Sequence, residues 1–193
     1  MDVFEAIRSR RSIGKVRDEA PPRELIERLL AAAIEAPNHY ETEPWRFIVL
    51  AGKAREEFGD RLAEALRRRL AGADVKNLDG LLLAERAKPL RAPVLIIVAT
   101  KRSPQKNVVP IEEIEATAAA VENMLLTATA LGLAAHWRTG DGAYDPYVKQ
   151  WFGLDPEDHV AAVVYLGYPD PERDTPRTRS RSFTNKTEWR GWD

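Results

Sequence analysis

The side chains with the widest chemical scope lie in one short stretch, Ala36-Pro37-Asn38-His39-Tyr40-Glu41-Thr42-Glu43-Pro44-Trp45-Arg46-Phe47. Between its two prolines stand an amide, an imidazole, a phenol, two carboxylates and a hydroxyl. Pro37 lacks a backbone donor and clashes with a continuing helix, so it predicts a helix stop and a non-helical Ala36. Pro44 predicts an extended Glu43 ahead of a strand. A polar loop bracketed in this way serves either as a tight connection or as one wall of a binding site. A second group is Arg8-Ser9-Arg10-Arg11-Ser12-Ile13-Gly14. Arginines at a helix C-terminus suit the macrodipole. The same residues also form a cationic fork with a hydroxyl beside it, suited to a phosphate or an anionic ring. A third group is Trp137-Arg138-Thr139-Gly140.

Several chemistries are excluded. His39, His136 and His159 are scattered without ligand spacing, and there is no metal-type carboxylate cluster, so no metal site is expected. The absence of cysteine removes disulfides, thiol redox chemistry, cysteine nucleophiles and thiolate metal sites. G-x-S-x-G, the P-loop and G-x-G-x-x-G are all missing, and Gly140-Asp141-Gly142 reads as a turn. A chain with no evident nucleophile but several arginine-containing turns is suited to hold a cofactor that carries the reaction.

The 193 residues are 44% hydrophobic and 31% charged, with net charge −1. That length and composition predict one domain with a substantial core. The near-neutral balance gives no field to gather nucleic acid or membrane, and neither is expected as a partner. The N-terminal residues have no apolar h-region, and the longest apolar run, Val94 to Ala99, is too short to span a bilayer. A soluble cytoplasmic protein is the expectation.

The elements that must position these groups are legible from periodicity. Asp2 and Glu5 have capping-box spacing ahead of Phe4 and Ile7. Pro21 and Pro22 open a helix whose apolar face runs from Leu25 to Ile34. Phe47 to Ala51 reads as a buried strand, Lys53 to Leu70 as a helix with a solvated Arg67-Arg68-Arg69 end, and Leu81 to Ala87 as a short helix. Val94 to Ala99 predicts a central strand covered on both faces. Pro110 starts the longest helix, with Glu112 and Glu113 favourable at its N-terminus. Its predicted inward residues are Ile111, Ile114, Ala118, Val121, Leu125 and Ala128, and Gly132 ends it. A short strand at Leu133, a helix from Tyr144 to Phe152 and a buried strand from Val160 to Gly167 follow.

Four features in order carry a family resemblance. They are Arg10-Arg11-Ser12, Ala36-Pro37-Asn38-His39 with Glu43-Pro44-Trp45-Arg46-Phe47, Trp137-Arg138-Thr139-Gly140, and Val163-Val164-Tyr165-Leu166-Gly167. The set resembles the nitroreductase family of FMN-dependent oxidoreductases, in its compact branch, over residues 1 to about 168. The resemblance implies an α+β fold with a mixed, largely antiparallel sheet flanked by helices, and a homodimer with FMN at the subunit interface. It implies one domain over residues 1–193, with 169–193 as an extension packing, with Trp189 and Trp192, on the body or the partner. Arg10, Arg11 and Ser12 would bind the phosphate, ribityl chain and pyrimidine edge of FMN. His39 would reach the FMN held mainly by the other subunit, and Trp137, Arg138 and Thr139 would line the flavin, with Arg138 as phosphate partner. No catalytic side chain is implied. FMN would pass electrons from NAD(P)H to a nitroaromatic, quinone or similar small-molecule acceptor by a ping-pong scheme. A specialised reductive step, or a flavin-binding sensor without catalysis, is the alternative. The chain departs from the family pattern at Glu35, Glu41 and Glu43. An ionised carboxylate cannot donate a hydrogen bond to a flavin carbonyl, which separates Glu41 and Glu43 from a direct flavin role. Arg179, Arg181 and Lys186 are further basic groups available to a phosphate.

Overall fold

A run of apolar residues with no charge in it cannot expose either face of a strand, and the fold is assembled around two such runs. The computed structural model describes residues 1–172 and 182–192. Its strands are β1 (Trp45–Ala51), β2 (Val94–Thr100), β3 (Ala134–Arg138) and β4 (His159–Gly167). They form one sheet in the order β1-β2-β4-β3. All three pairings are antiparallel. Every residue of β2 is buried, and β4 is buried from Val160 onward. Side chains alternate between faces with period two. Leu95, Ile97, Val163 and Tyr165 therefore join one core cluster, and Val94, Ile96, Val98, Val164 and Leu166 the other.

The helices are α1 (Val3–Ser9), α2 (Arg23–Ala33), α3 (Lys53–Arg69), α4 (Leu78–Ala87), α5 (Pro110–Ala130), α6 (Asp141–Tyr144) and α7 (Pro146–Trp151). Asp2 caps α1 by accepting the Glu5 amide at 2.8 Å. α2 and α5 supply the core on one face of the sheet, and α3 and α7 on the other. Gly132, at φ 72°, ends α5 in a Schellman arrangement. Its own amide reaches Thr129 O at 3.1 Å and the Leu133 amide reaches Ala128 O at 2.8 Å.

Several elements differ from the sequence reading. β1 is an edge strand with only Leu50 fully buried, because apolar content alone does not separate an edge strand from a central one. The helix expected from Tyr144 to Phe152 is broken. Asp145 accepts the Tyr147 amide at 3.0 Å and Pro146 takes the first position of a new helix. α2 ends a turn before Pro37, at Ala33. The buried stripe of α5 keeps the expected Val121, Leu125 and Ala128 but departs from the expected one elsewhere. It passes through Glu113, Thr117, Ala120 and Met124, while Ile111 is 55% exposed. Small residues at Ala116 and Ala120 are the kind that let a neighbouring helix approach closely. Of the tail, Phe183, Trp189 and Trp192 are exposed, the two indoles meeting edge to face at 5.6 Å. Arg177, Arg179 and Arg181 lie outside the described residues.

α3 and α4 touch through backbone. A Cβ on Gly59 would stand 2.2 Å from the Arg86 carbonyl oxygen, a contact no side-chain rotation can relieve. Gly59→Ala should therefore lower stability by about 1–3 kcal/mol through overpacking, despite alanine's better helix propensity. Urea unfolding of the two proteins measures this, and an unchanged or raised midpoint would contradict it.

Candidate functional site

β3 is an edge strand, and the chain after α1 runs beside its outer edge. The Ile13 amide donates to Ala135 O at 3.1 Å, and Gly14 lies so close to His136 that a Cβ there would meet Nδ1 at 2.9 Å. Val16 then bridges Pro169. These contacts fix where Arg10, Arg11 and Ser12 emerge. Arg10 pairs with Glu122 of α5 at 3.3 Å, Arg11 is partly buried and Ser12 is exposed.

Along β3 the two-residue period separates neighbours. Trp137 packs with the α2–α5 cluster and its indole donates to Ala161 O at 2.9 Å. Arg138 stands on the opposite face, 5.7 Å from the ring centre of Tyr165. Arg138 and Thr139 border a cleft of about 560 Å³ that Leu62, Leu66 and Tyr165 also line. That volume lies in the usual range for small-molecule sites, about 300–1,000 Å³. Lys88 and Arg69 border it as well, already paired with Glu85 and Asp145. Arg138 is exposed and makes no ion pair among the described residues. An unneutralised guanidinium beside a hydroxyl and an apolar cleft suits an aromatic group bearing an anion, so the donor set fits FMN.

The loop before β1 stands at the other edge of the sheet. His39 and Tyr40 are exposed, with ring centres 4.0 Å apart. Tyr40, Glu41 and Glu43 have φ of 61°, 52° and 45°. Glu43 is thus not the extended residue that Pro44 favours. Its amide is instead held by Asn38 Oδ1 at 2.8 Å. Left-handed backbone in non-glycine residues costs about 1–3 kcal/mol each, so the surroundings must hold it. Asn38 Nδ2 donates to Thr42 Oγ1 at 2.9 Å, and the Thr42 hydroxyl donates to Glu113 Oε1. Glu113 is buried, and its Oε2 has no hydrogen-bond partner among the described residues.

The structure thus gathers Arg10, Arg11, Ser12, Trp137, Arg138 and Thr139 about β3, and leaves His39 on the β1 side. Three strand spacings, about 14 Å in all, separate the two edge strands. Sequence reading gave Glu113 only as an acid favourable at the N-terminus of α5 and missed its link to Thr42. The available signal was its spacing of four from Thr117 and seven from Ala120, which puts it on the inward face. Among the described residues no group of three or more His, Cys, Asp or Glu could hold a metal, and no helix is long and apolar enough to cross a membrane.

The fold and the β3 edge define a class that comparison identifies. Residues 7–168 match the model of the Nitroreductase family, and the chain belongs to that family. A protein of Escherichia coli strain K12 named "Putative NAD(P)H nitroreductase YdjA" is 33% identical over 175 residues, covering 91% of this chain and 92% of its own. The crystal structure of a nitroreductase-like family protein from Bacillus cereus superimposes with a TM-score of 0.81 at 26% identity, covering 100% of this chain and 97% of that one. A nitroreductase with bound FMN from Bacteroides fragilis NCTC 9343 has a TM-score of 0.75, also at 26% identity, covering 98% of this chain and all of its own.

Two histidines near these features should titrate low. Burial, and then the charge of Arg138, holds His136 below the ordinary imidazole value, and burial, then Lys149, does the same for His159. The folded state favours their neutral forms. Their contribution to stability is complete above the unfolded value of about 6.5 and is lost as pH falls through the depressed folded values. Histidine NMR against pH should show both midpoints below that of an unfolded peptide, and a midpoint at or above it for either would refute the assignment.

Proposed function

We propose that the protein is an FMN-dependent NAD(P)H oxidoreductase acting as a homodimer, each FMN site being shared between subunits. One observation carries the reading. Cationic and hydroxyl groups gather at one edge of the sheet while the His39 loop stands at the other, so a chain holds two half-sites. A second copy, pairing the edges in both directions, completes two sites.

FMN, when bound, supplies the hydride and electron chemistry that links NAD(P)H in a ping-pong order to a nitroaromatic, quinone or similar acceptor. Arg10, Arg11 and Ser12 bind its phosphate, ribityl chain and pyrimidine edge, and Arg138 provides the uncommitted charge for the phosphate. Guanidinium groups near the pyrimidine end stabilise negative charge there and so favour hydride acceptance. The Arg10–Glu122 ion pair is partly exposed, and such pairs contribute at most about 1 kcal/mol, so it orients the guanidinium without withholding it. The indole hydrogen bond of Trp137 to Ala161 fixes that ring in place. Thr139 borders the flavin beside Arg138, and His39 approaches from the partner. No side-chain acid or base is required.

Apolar surface supports the dimer. Val3, Phe4 and Ile7 of α1 are 60%, 70% and 53% exposed, and Phe183, Trp189 and Trp192 add a second apolar surface. The chain acts as one domain, with the described part of its C-terminal extension, residues 169–172 and 182–192, packing on the body or the partner, in a cytoplasmic setting.

The purified protein should be yellow or should bind added FMN, and anaerobic NADH or NADPH should bleach the flavin absorbance. A protein that takes up no FMN sinks the proposal, and one that binds FMN but is not reduced is a flavin-binding sensor instead. Arg138→Ala should weaken FMN binding roughly tenfold or more, as expected for a lost charge-assisted hydrogen bond. Mixing Arg138→Ala with His39→Ala subunits should restore turnover in the hybrid, which retains one intact site. No restoration would place both residues in the same chain's site.

A further inference from the structure

The loop that carries His39 is not held by the sheet alone. We propose that Glu113 of α5 is a positioning residue which, through Thr42 and Asn38, fixes the backbone of residues 39–43 and so sets where His39 stands. The proposal rests on the shared-site reading only for what His39 then meets.

The chain of contacts is short and directional. The Asn38 amide donates to Thr42 Oγ1 at 2.9 Å and to the His39 carbonyl oxygen at 3.2 Å, and its own oxygen receives the Glu43 amide at 2.8 Å. One side chain thereby spans residues 39 to 43. Asn38 cannot fix that span unless its own amide is oriented, and the Thr42 hydroxyl does this by accepting from Nδ2. Thr42 in turn has its proton directed at Glu113 Oε1. Among the described residues Glu113 anchors this series of contacts in the core, at 3% exposure, on the longest helix of the fold.

The need for an anchor is visible in the backbone. Three of the four non-glycine residues with positive φ among the described residues are Tyr40, Glu41 and Glu43, and Glu43 also precedes a proline. Left to local preference these residues would relax to extended or right-handed angles. Relaxation would turn the exposed His39–Tyr40 pair away from its present direction. A carboxylate buried beside a helix N-terminus is favoured by the dipole, but that alone does not require a threonine hydroxyl against it. Among the described residues Oε2 has no hydrogen-bond partner, so the carboxylate's one side-chain hydrogen bond there is the one from Thr42. The carboxylate is placed for the loop.

Three substitutions isolate the hydrogen bonds. Thr42→Val removes the hydroxyl at constant shape, and Thr42→Ser keeps it. Asn38→Asp keeps the acceptor for Glu43 but loses both donors, at a partly buried loop position. With FMN titrated by fluorescence, Thr42→Val and Asn38→Asp should bind about tenfold more weakly and Thr42→Ser within about twofold, the scale of one hydrogen bond. In a His39→Ala background the Thr42→Val effect should shrink to within about twofold, because the network acts through His39. An undiminished effect in that background, or parent-like binding by both variants, overturns the proposal.

A second readout needs no flavin. The chain has three histidines, so the apoprotein imidazole NMR spectrum resolves them. Thr42→Val and Asn38→Asp should move or broaden the His39 signals and leave His136 and His159 in place. If the parent takes up no FMN the oxidoreductase reading fails, while this spectrum still decides whether Glu113 holds the loop. Unmoved His39 signals would end the inference.

Discussion

Burial of β2 and β4 on both faces is the constraint from which the remaining architecture follows. Two adjacent strands with no solvent-facing side need helices above and below, and α5 with α2 on one side and α3 with α7 on the other meet that need. The covered pair takes the centre of the sheet, and β1 and β3 become its borders. Apolar residues cannot be spared from the centre, so the groups with chemical scope collect at the borders. The division of the candidate site between two edges is thus a result of how the core is filled.

The two borders are stabilised in different ways. Beside β3 the backbone does most of the work, through the Ile13–Ala135 hydrogen bond, the Val16–Pro169 bridge and the close fit of Gly14 on His136. Beside β1 the work is done by side chains, Asn38, Thr42 and Glu113, which hold a backbone that would not choose its own angles. A backbone hydrogen bond such as Ile13–Ala135 tolerates many side chains at its position, although the close fit of Gly14 does not. A side-chain tether depends on particular ones, and that asymmetry makes the His39 loop the more sensitive half.

Much of this was legible in the sequence because it depends on local rules. Val94 to Ala99 declared a buried strand through its β-branched run, Pro110 and Gly132 marked the limits of α5, and Asp2 marked the start of α1. The family resemblance brought Arg10, Arg11, Ser12, His39, Trp137, Arg138 and Thr139 forward together, though their spacing alone could not have assigned them. What escaped depends on tertiary contact. Nothing local tells that β1 is an edge, since Phe47 to Leu50 is as apolar as a central strand. Pro44 predicted an extended Glu43, and a hydrogen bond to a residue five positions earlier overrode it. Glu113 read only as an acid favourable at a helix N-terminus, because the dipole argument is local and says nothing of burial. Trp137 and Arg138 are adjacent in sequence, yet the strand period sends them to opposite faces.

The exposed tail tryptophans give the molecule an optical property. Of five indoles, Trp189 and Trp192 stand in water, 64% and 77% exposed, while Trp45, Trp137 and Trp151 are partly covered by the core. Emission from the exposed pair reports the polarity around residues 189–192, far to the red of an indole in hydrocarbon. Anything that covers that surface shifts it to the blue and shields it from a dissolved quencher. The chain therefore carries an unlabelled gauge of what touches its C-terminal segment, readable in dilute solution.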